Sequence, residues 1–156
     1  MARLEYRQYG EWETQFPLLY YYDGIDQDEV SLRFACDYFV KDGVVYEKTS
    51  CSIEPHAYVI YVRRSADEYV VDSTRQTPPA FRWGGIRIEL REFMEYSDQH
   101  PVRHTFRYSD DDDALLCLQS DYLVWDGSEW AKTSAEIDED RRVYVYYATR
   151  TAAGRI

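Results

Sequence analysis

Apolar and polar residues alternate with a period of two along much of the chain, which is the pattern of strands with one buried face. Leu4 and Tyr6 alternate with charged neighbours, and Ile88 and Leu90 do the same later in the chain. The same spacing predicts two further strand faces, formed by Val30, Leu32 and Phe34 and by Ala114, Leu116 and Leu118. Helical periodicity is nearly absent, so the pattern predicts a chain built mainly from strands.

Two Asp-Gly pairs predict tight hairpins. Asp42-Gly43 and Asp126-Gly127 each lie between apolar-rich runs, and both residue types tolerate the positive φ of a type I′ turn. The strands that these turns join are predicted at 38–41 with 44–49, and at 122–125 with 128–133. A last strand is predicted in each half, at 57–63 and 141–148.

Five or six strands in each half predict an all-β fold, or a mostly β fold with at most one short helix per half. The expected architecture is a β-sandwich or a barrel. Segments 9–15 and 93–99 have a composition compatible with the short helix.

The second half of the chain repeats the first at an offset of 84 residues. Arg3 to Tyr9 reappears as Arg87 to Phe93, and Asp37 to Gly43 reappears as Asp121 to Gly127. The register holds without a gap, and about a third of the paired positions are identical, against roughly one in fifteen expected from average composition. We therefore predict an internal duplication whose halves are related by a pseudo-twofold axis.

The repeat also sets the expected organisation, which is one compact domain. Repeat one spans 3–62 and repeat two spans 87–146, with a C-terminal tail at 147–156. The linker, 63–86, contains the strong breakers Pro78-Pro79 and Gly84-Gly85. Residues 68–72 are predicted to add a strand that the second half lacks.

Composition narrows the classes of partner and the compartment. The 156 residues include 29 acidic and 18 basic residues, for a formal net charge of −11, which disfavours nucleic acid and anionic membranes as partners. The first residues carry charges throughout, unlike a signal peptide, and the apolar run 57–62 is too short to span a bilayer. The three cysteines are odd in number and lack CxxC spacing, which favours reduced thiols and a cytoplasmic protein.

Acidic residues occupy equivalent positions in both repeats. Asp26 and Asp28 form an Asp-x-Asp pair, and Asp110 and Asp112 form its counterpart. Calcium prefers several oxygen ligands from one loop, but the spacing matches no EF-hand and the bidentate glutamate at loop position twelve is missing. Solvated loop charges that discourage edge pairing are the alternative. The four aspartates are therefore candidate binding residues, and no metal is predicted.

Aromatic residues supply the other candidate binding surface. Tyr20, Tyr21 and Tyr22 place rings on both faces of one strand, and 144–147 contains three further tyrosines. Exposed tyrosine in an acidic field is typical of protein-binding surfaces, while core packing or a homodimer interface is the alternative. Trp83 in the linker and Trp125, which aligns with a lysine, are candidates for stacking on a sugar or a base.

No catalytic motif is present. The chain has no G-x-S-x-G, and Gly84-Gly85 is not a phosphate loop. On a strand His100 and His104 would lie about 13 Å apart, too far to share a metal. Asp37 and Asp121 could form an acid–base pair, although turn capping explains them as well. The sequence thus predicts no catalytic residue, metal or cofactor and favours a protein that is not an enzyme.

Three functional hypotheses follow. The leading one is a non-enzymatic binding protein, such as an inhibitor or immunity protein, that meets a basic protein partner through acidic and tyrosine side chains. The second is a small-molecule or carbohydrate binder, or an enzyme, with its site between the repeats. The third is a structural or self-assembling component, for which a homodimer is the simplest form.

Overall fold

The computed structural model describes residues 2–11, 14–70 and 85–151. In this part, the chain forms ten strands and two short helices, so the fold is mostly β, as predicted. The elements of the first half are β1 (Ala2–Gln8), β2 (Leu18–Ile25), α1 (Gln27–Phe34), β3 (Tyr38–Lys41), β4 (Val44–Ile53) and β5 (Tyr58–Arg64). Those of the second half are β6 (Ile86–Glu92), β7 (Val102–Tyr108), α2 (Asp111–Gln119), β8 (Tyr122–Trp125), β9 (Ser128–Asp138) and β10 (Val143–Arg150).

Both Asp-Gly hairpins form as predicted. Asp42 and Gly43 have φ values of 53° and 75°, and Asp126 and Gly127 have 51° and 71°. These left-handed values are what a type I′ turn requires at both central positions. The bounds of β3 and β8 match the prediction, whereas β4 and β9 continue several residues further than predicted.

The helices lie elsewhere than the sequence predicts. Within the described residues, segments 9–15 and 93–99 contain no helix, and the helices instead occupy 27–34 and 111–119. Asp26 caps α1 by accepting a hydrogen bond from the Asp28 backbone N–H, and Asp110 caps α2 in the same way. The strand prediction for these segments is wrong, because a cap followed by an acidic first turn favours a helix that apolar spacing alone does not reveal.

All ten strands belong to one mixed sheet. The order is β2-β1-β5-β4-β3-β9-β10-β6-β7, with β8 pairing to β9 beyond the end of β3. The sheet is strongly curved, since the ring of Tyr20 on β2 lies 5.8 Å from that of Phe39 on β3 although three strands separate them in the order. This curvature is compatible with a sandwich or a barrel, and the choice between those two stays a prediction.

One face of the sheet forms the core against both helices. Leu4 and Tyr6 on β1 and Ile88 and Leu90 on β6 are buried there, as the alternation predicts. The helices contribute Val30, Leu32, Ala114 and Leu118 to the same cluster. The opposite face carries charged strand residues that are nevertheless buried: Glu89, Arg91, Glu136 and Asp138.

The element order strand–strand–helix–strand–strand–strand occurs twice in the chain. Strands β6, β8 and β9 begin 84 residues after β1, β3 and β4. In the sheet, β2-β1-β5-β4 is followed beyond β3 by β9-β10-β6-β7, which are their counterparts in reverse order. A duplication with a pseudo-twofold axis would produce this arrangement, and duplication remains our interpretation of the sequence.

Three further sequence predictions concern the linker strand, membrane spans and the cysteines. Residues 68–70 belong to no strand, and the remainder of the predicted 68–72 strand lies outside the described residues. In the described ranges, neither helix has the length and apolar character needed to cross a membrane. The three cysteines are free thiols, as predicted.

Candidate functional site

The two helices bring their acidic N-termini together. Carboxylate oxygens of Asp26, Asp28 and Asp111 all lie within 4.8 Å of one another. The structure therefore brings the first Asp-x-Asp pair to Asp111, which lies between the two members of the second pair. Asp110 is occupied as the cap of α2, and the exposed Asp112 supplies the N–H that this cap binds.

Like charges dominate this acidic surface, which we define as the carboxylates of residues 26, 28 and 110–113. Partial burial, followed by the charges of Asp28 and Asp26, raises the pKa of Asp111. Within the described part of the chain, no salt bridge joins a basic side chain to this surface. Exposed carboxylates at helix N-termini need no cation to explain them, so we assign no metal site here.

The three consecutive tyrosines do not form one surface. Tyr21 is 56% exposed, and the guanidinium carbon of Arg3 lies 4.4 Å from its ring centroid. Tyr22 is half-buried and donates its hydroxyl proton to Glu139. Tyr20 donates to an Asp42 carboxylate oxygen at 3.0 Å. Of the three, Tyr21 is the one whose ring is largely available to a partner.

The structure does not place the two candidate tryptophans in one site. Trp83 lies outside the described residues. Trp125 is half-buried and stacks on His104, with ring centroids 5.0 Å apart. Trp130 is fully buried in the core. Neither described tryptophan therefore presents an open stacking surface.

A cavity opens where the two repeats meet, on the face of the sheet opposite the helices. Its inner part has a volume of about 180 Å³ and adjoins a wider outer part of about 310 Å³. The inner part is lined by four aromatic residues, two glutamates, one threonine and one serine, namely Tyr38, Phe93, His100, Tyr147, Glu68, Glu136, Thr133 and Ser134. We call this recess the junction cavity.

The mouth of the junction cavity is more acidic still. The outer part adds the carboxylates of Asp67, Glu95 and Asp98 to those of Glu68 and Glu136. It also adds the exposed rings of Tyr69 and Tyr96. Among the described residues, neither a lysine nor an arginine lines the inner or the outer part.

Glu136 lies at the base of the junction cavity. Its neighbours on β9, Ala135 and Ile137, point into the core, so the alternation of the strand turns Glu136 to the other face. The residue is only 8% exposed, and its Oε2 accepts a hydrogen bond from Tyr147 Oη at 3.2 Å. Burial, reinforced by Asp138, raises the pKa of Glu136 to about 8, which leaves the carboxyl largely protonated at neutral pH.

The nearest arginines are already paired. Arg141 binds both carboxylate oxygens of Glu89 at 3.0 Å and one oxygen of Asp138 at 2.8 Å. Arg91 binds Glu89 at 2.9 Å. In this network, the positive charges of Arg91 and Arg141 balance the negative charges of Glu89 and Asp138. No salt bridge in the described chain involves Glu136.

His100 adds no positive charge to the junction cavity. Burial and the nearby Arg91 lower the pKa of the His100 imidazole below its ordinary value. Its Nδ1 accepts a hydrogen bond from the Met94 backbone N–H at 3.0 Å, so the remaining proton of the neutral ring is on Nε2. The ring stacks on Phe93, with centroids 5.0 Å apart, and meets Tyr147 edge-on.

The sequence predicted a small-molecule site between the repeats only as an alternative, and it assigned no binding role to His100 or Glu136. The available signal was asymmetry, since the residues 84 positions before His100, Glu136 and Tyr147 are Phe16, Ser52 and Arg63. Residues that only one repeat contains are the ones free to acquire a separate role.

Comparison with known proteins yields no relative. No protein-family model, curated protein or solved structure matches the chain. What the protein does therefore has to follow from its own residues and their geometry.

Proposed function

We propose that the chain is a non-enzymatic binding protein that recognises a basic protein partner, as an inhibitor or immunity protein does. The observation that supports this function is the acidic surface, where Asp26, Asp28 and Asp111 lie within 4.8 Å of one another. Such mutual repulsion opposes folding, and a cationic partner would relieve it. The net charge of −11 extends the attraction to larger distances and speeds encounter.

The outer face of α2 offers contact area beside these charges. Asp112 and Leu116 are four residues apart and so share one side of the helix. Leu116 is 64% exposed, although its counterpart Leu32 is buried. An exposed apolar side chain next to charged groups is typical of an interface with an apolar centre and a polar rim. We therefore propose the outer face of α2 as the contact.

The test compares two pairs of neutral substitutions. Asp112→Asn with Asp113→Asn removes two charges from the acidic surface and keeps the Asp110 cap. Asp121→Asn with Asp126→Asn removes two exposed carboxylates beyond the other end of α2, about 13 Å along the helix. The two variants have the same net charge, so any difference in binding between them reports position and not total charge.

The binding partner would be isolated by affinity capture at low salt, purified, and used in stopped-flow association. We expect the association rate to fall with ionic strength, and to fall further in the Asp112/Asp113 variant than in the Asp121/Asp126 variant. An association rate that does not change with ionic strength, or equal rates for the two variants, would contradict the proposal.

Self-assembly is a second candidate function, favoured by two unpaired strand edges. At the repeat junction, 38–40 of β3 pairs with 136–138 of β9. The counterparts of these segments are 122–124 of β8 and 52–54, at and just beyond the end of β4, and no pairing between them occurs within the described chain. Val124 is 60% exposed and Ile53 is 79% exposed. A second copy of the chain could complete both edges.

Lysine substitutions test this second candidate, because a charged residue blocks edge pairing. We expect the wild-type mass in sedimentation equilibrium to rise with concentration, and Val124→Lys or Ile53→Lys alone to reduce the association. An equimolar mixture of the two variants should form a heterodimer, since each retains the edge that the other lacks. Met94→Lys, an exposed loop control, should behave as wild type. A wild-type monomer at every concentration would exclude the candidate.

A further inference from the structure

We propose that the junction cavity binds an organic cation, an alkylammonium or guanidinium head group, between the carboxyls of Glu136 and Glu68 and the rings of Tyr38, Phe93 and Tyr147. This site goes beyond the proposed function, because it lies on the sheet face opposite the helices and shares no residue with the acidic surface.

The charge of the cavity selects for a cation. Five carboxyls line its two parts, and the nearest arginines are committed to Glu89 and Asp138. A buried carboxyl that has no cationic partner is costly to ionise. A bound cation would supply that partner to Glu136. Binding of the cation would therefore favour ionisation of Glu136, and the ionised carboxylate would in turn favour binding of the cation. The carboxylates at the mouth of the cavity would repel an anionic ligand.

The walls fit an organic cation better than a metal ion. Aromatic faces attract ammonium and guanidinium groups through their ring quadrupoles, and the effect strengthens where water is excluded. Tyr38, Phe93 and Tyr147 supply three such rings. A hard metal ion would instead need several oxygen ligands converging on one point, and no metal-ligating cluster among the described residues includes Glu136.

The size of the cavity limits the ligand to a head group. Pockets that bind drug-sized ligands have volumes of about 300–1,000 Å³, whereas the inner part measures about 180 Å³. A guanidinium or ammonium group with a short alkyl stem fits this space, and the acidic outer part would receive the remainder of a longer ligand. The head group could belong to a free small molecule or to an arginine or lysine side chain of a protein.

Ionisation of Glu136 should make binding depend on pH. The titratable and charged groups around it are Asp138 and Arg141 beside it, Arg91 on β6, Tyr147 on β10, Tyr38 on β3, and His100 and Glu68 in the cavity wall. The pKa of His100 is lowered from 6.5, and those of Tyr38 and Tyr147 are raised above 10, so none of these three titrates between pH 7 and 9. With a pKa of about 8, Glu136 is about one-tenth ionised at pH 7.

The test uses ethylguanidinium as the probe and ethylurea as its neutral isostere, with binding followed by calorimetry. We expect ethylguanidinium to bind and ethylurea not to bind. Affinity should rise about tenfold from pH 7 to pH 9, because the competent ionised fraction rises by that factor. Glu136→Gln should lose at least tenfold in affinity at pH 9 and should lose the pH dependence. Equal binding of ethylurea, or unchanged binding by Glu136→Gln, would overturn the proposal.

Two controls keep the result interpretable. Glu136→Gln preserves shape, and a native far-UV circular dichroism spectrum would show that lost binding is not lost folding. The Asp112→Asn with Asp113→Asn variant should bind the probe as wild type does, which separates this site from the proposed partner surface.

A second pair of probes identifies the source of the cation. A capped Gly-Arg-Gly peptide and its citrulline analogue differ only in the charge of the side chain. Tighter binding of the arginine peptide than of ethylguanidinium would assign the cavity to a protein side chain. Binding of ethylguanidinium without binding of the arginine peptide would assign it to a free small cation. Failure of both cations to bind would overturn the proposal.

Discussion

Arg33 is the most enclosed charge on the helix side of the sheet. Its guanidinium is buried and lies 3.1 Å from Glu139, 3.2 Å from Glu29 and 3.3 Å from the hydroxyl oxygen of Tyr6. Glu139 belongs to the second half of the chain, so one side chain of α1 is bonded to both halves. Its counterpart in α2 is Cys117, and the arrangement therefore exists once in the molecule.

Replacing Arg33 by methionine should destabilise the fold strongly. The substitution keeps a long apolar side chain but leaves Glu139 with Lys41 as its remaining cationic partner. We expect the free energy of unfolding in urea to fall by about 3 kcal/mol, the low end for breaking a buried ion pair. Arg63→Met, which removes an exposed pair with Glu47, should cost less than about 1 kcal/mol. An equal decrease in the free energy of unfolding for the two variants would show that burial does not strengthen the ion pairs of Arg33.

Glu136 should make stability fall as pH rises. Its pKa is raised from the ordinary 4.5 to about 8, so between these values the folded protein keeps a proton that the unfolded chain releases. The stabilisation is complete below pH 4.5 and is lost as pH rises to about 8, at up to about 1.4 kcal/mol per pH unit. Relative to Glu136→Gln, the wild type should therefore lose stability over this window in urea titrations. Parallel pH profiles for the two proteins would contradict this prediction.

Among the elements, the strands and the helices differ in how far the sequence predicts them. Asp-Gly turns dictate positive φ, so β3 and β8 and their hairpins could be predicted almost to the residue. A helix of two turns shows too few apolar repeats for its period to stand out from a period of two. The deciding signal was polar, namely an aspartate cap followed by acidic residues, and it was interpreted as a loop.

The caps and the acidic surface should have opposite effects on stability. Asp110→Ala should lower the free energy of unfolding by about 1 kcal/mol, because the Asp112 N–H loses its acceptor.

Asp111→Asn should be more stable than wild type at pH 7. Because the pKa of Asp111 is raised, the folded state favours the protonated carboxyl. The stability that this proton gives the wild type is present at low pH and is lost as the pH rises through that pKa. The advantage of the asparagine variant should shrink at pH 3. Thermal unfolding at pH 7 and at pH 3 measures the stability difference between the two proteins. The same difference at both pH values would show that charge repulsion at Asp111 is not its cause.

For the whole molecule, the decisive feature is a pairing between distant residues. Tyr38 lies opposite Glu136 where β3 meets β9, and this contact places the junction cavity between the repeats. Periodicity within a strand indicates which side chains share a face, but not which distant strand will lie beside it. The core could therefore be predicted from the alternation of Leu4, Tyr6, Ile88 and Leu90, whereas the residues that line the junction cavity could not.

The same pairing predicts that both repeats unfold together. Phe39 stacks on Tyr6 at 3.9 Å between ring centroids and lies opposite Ile137 of the second half. Phe39→Ala should cost about 3–5 kcal/mol. Cys36 and Cys117 are buried reporters, one in each half, and their thiol labelling in urea can be followed by mass spectrometry. We expect one shared midpoint for the two thiols, moved equally by Phe39→Ala. If the substitution lowered the midpoint of Cys36 and left that of Cys117 unchanged, the repeats would be independent folding units joined at β3.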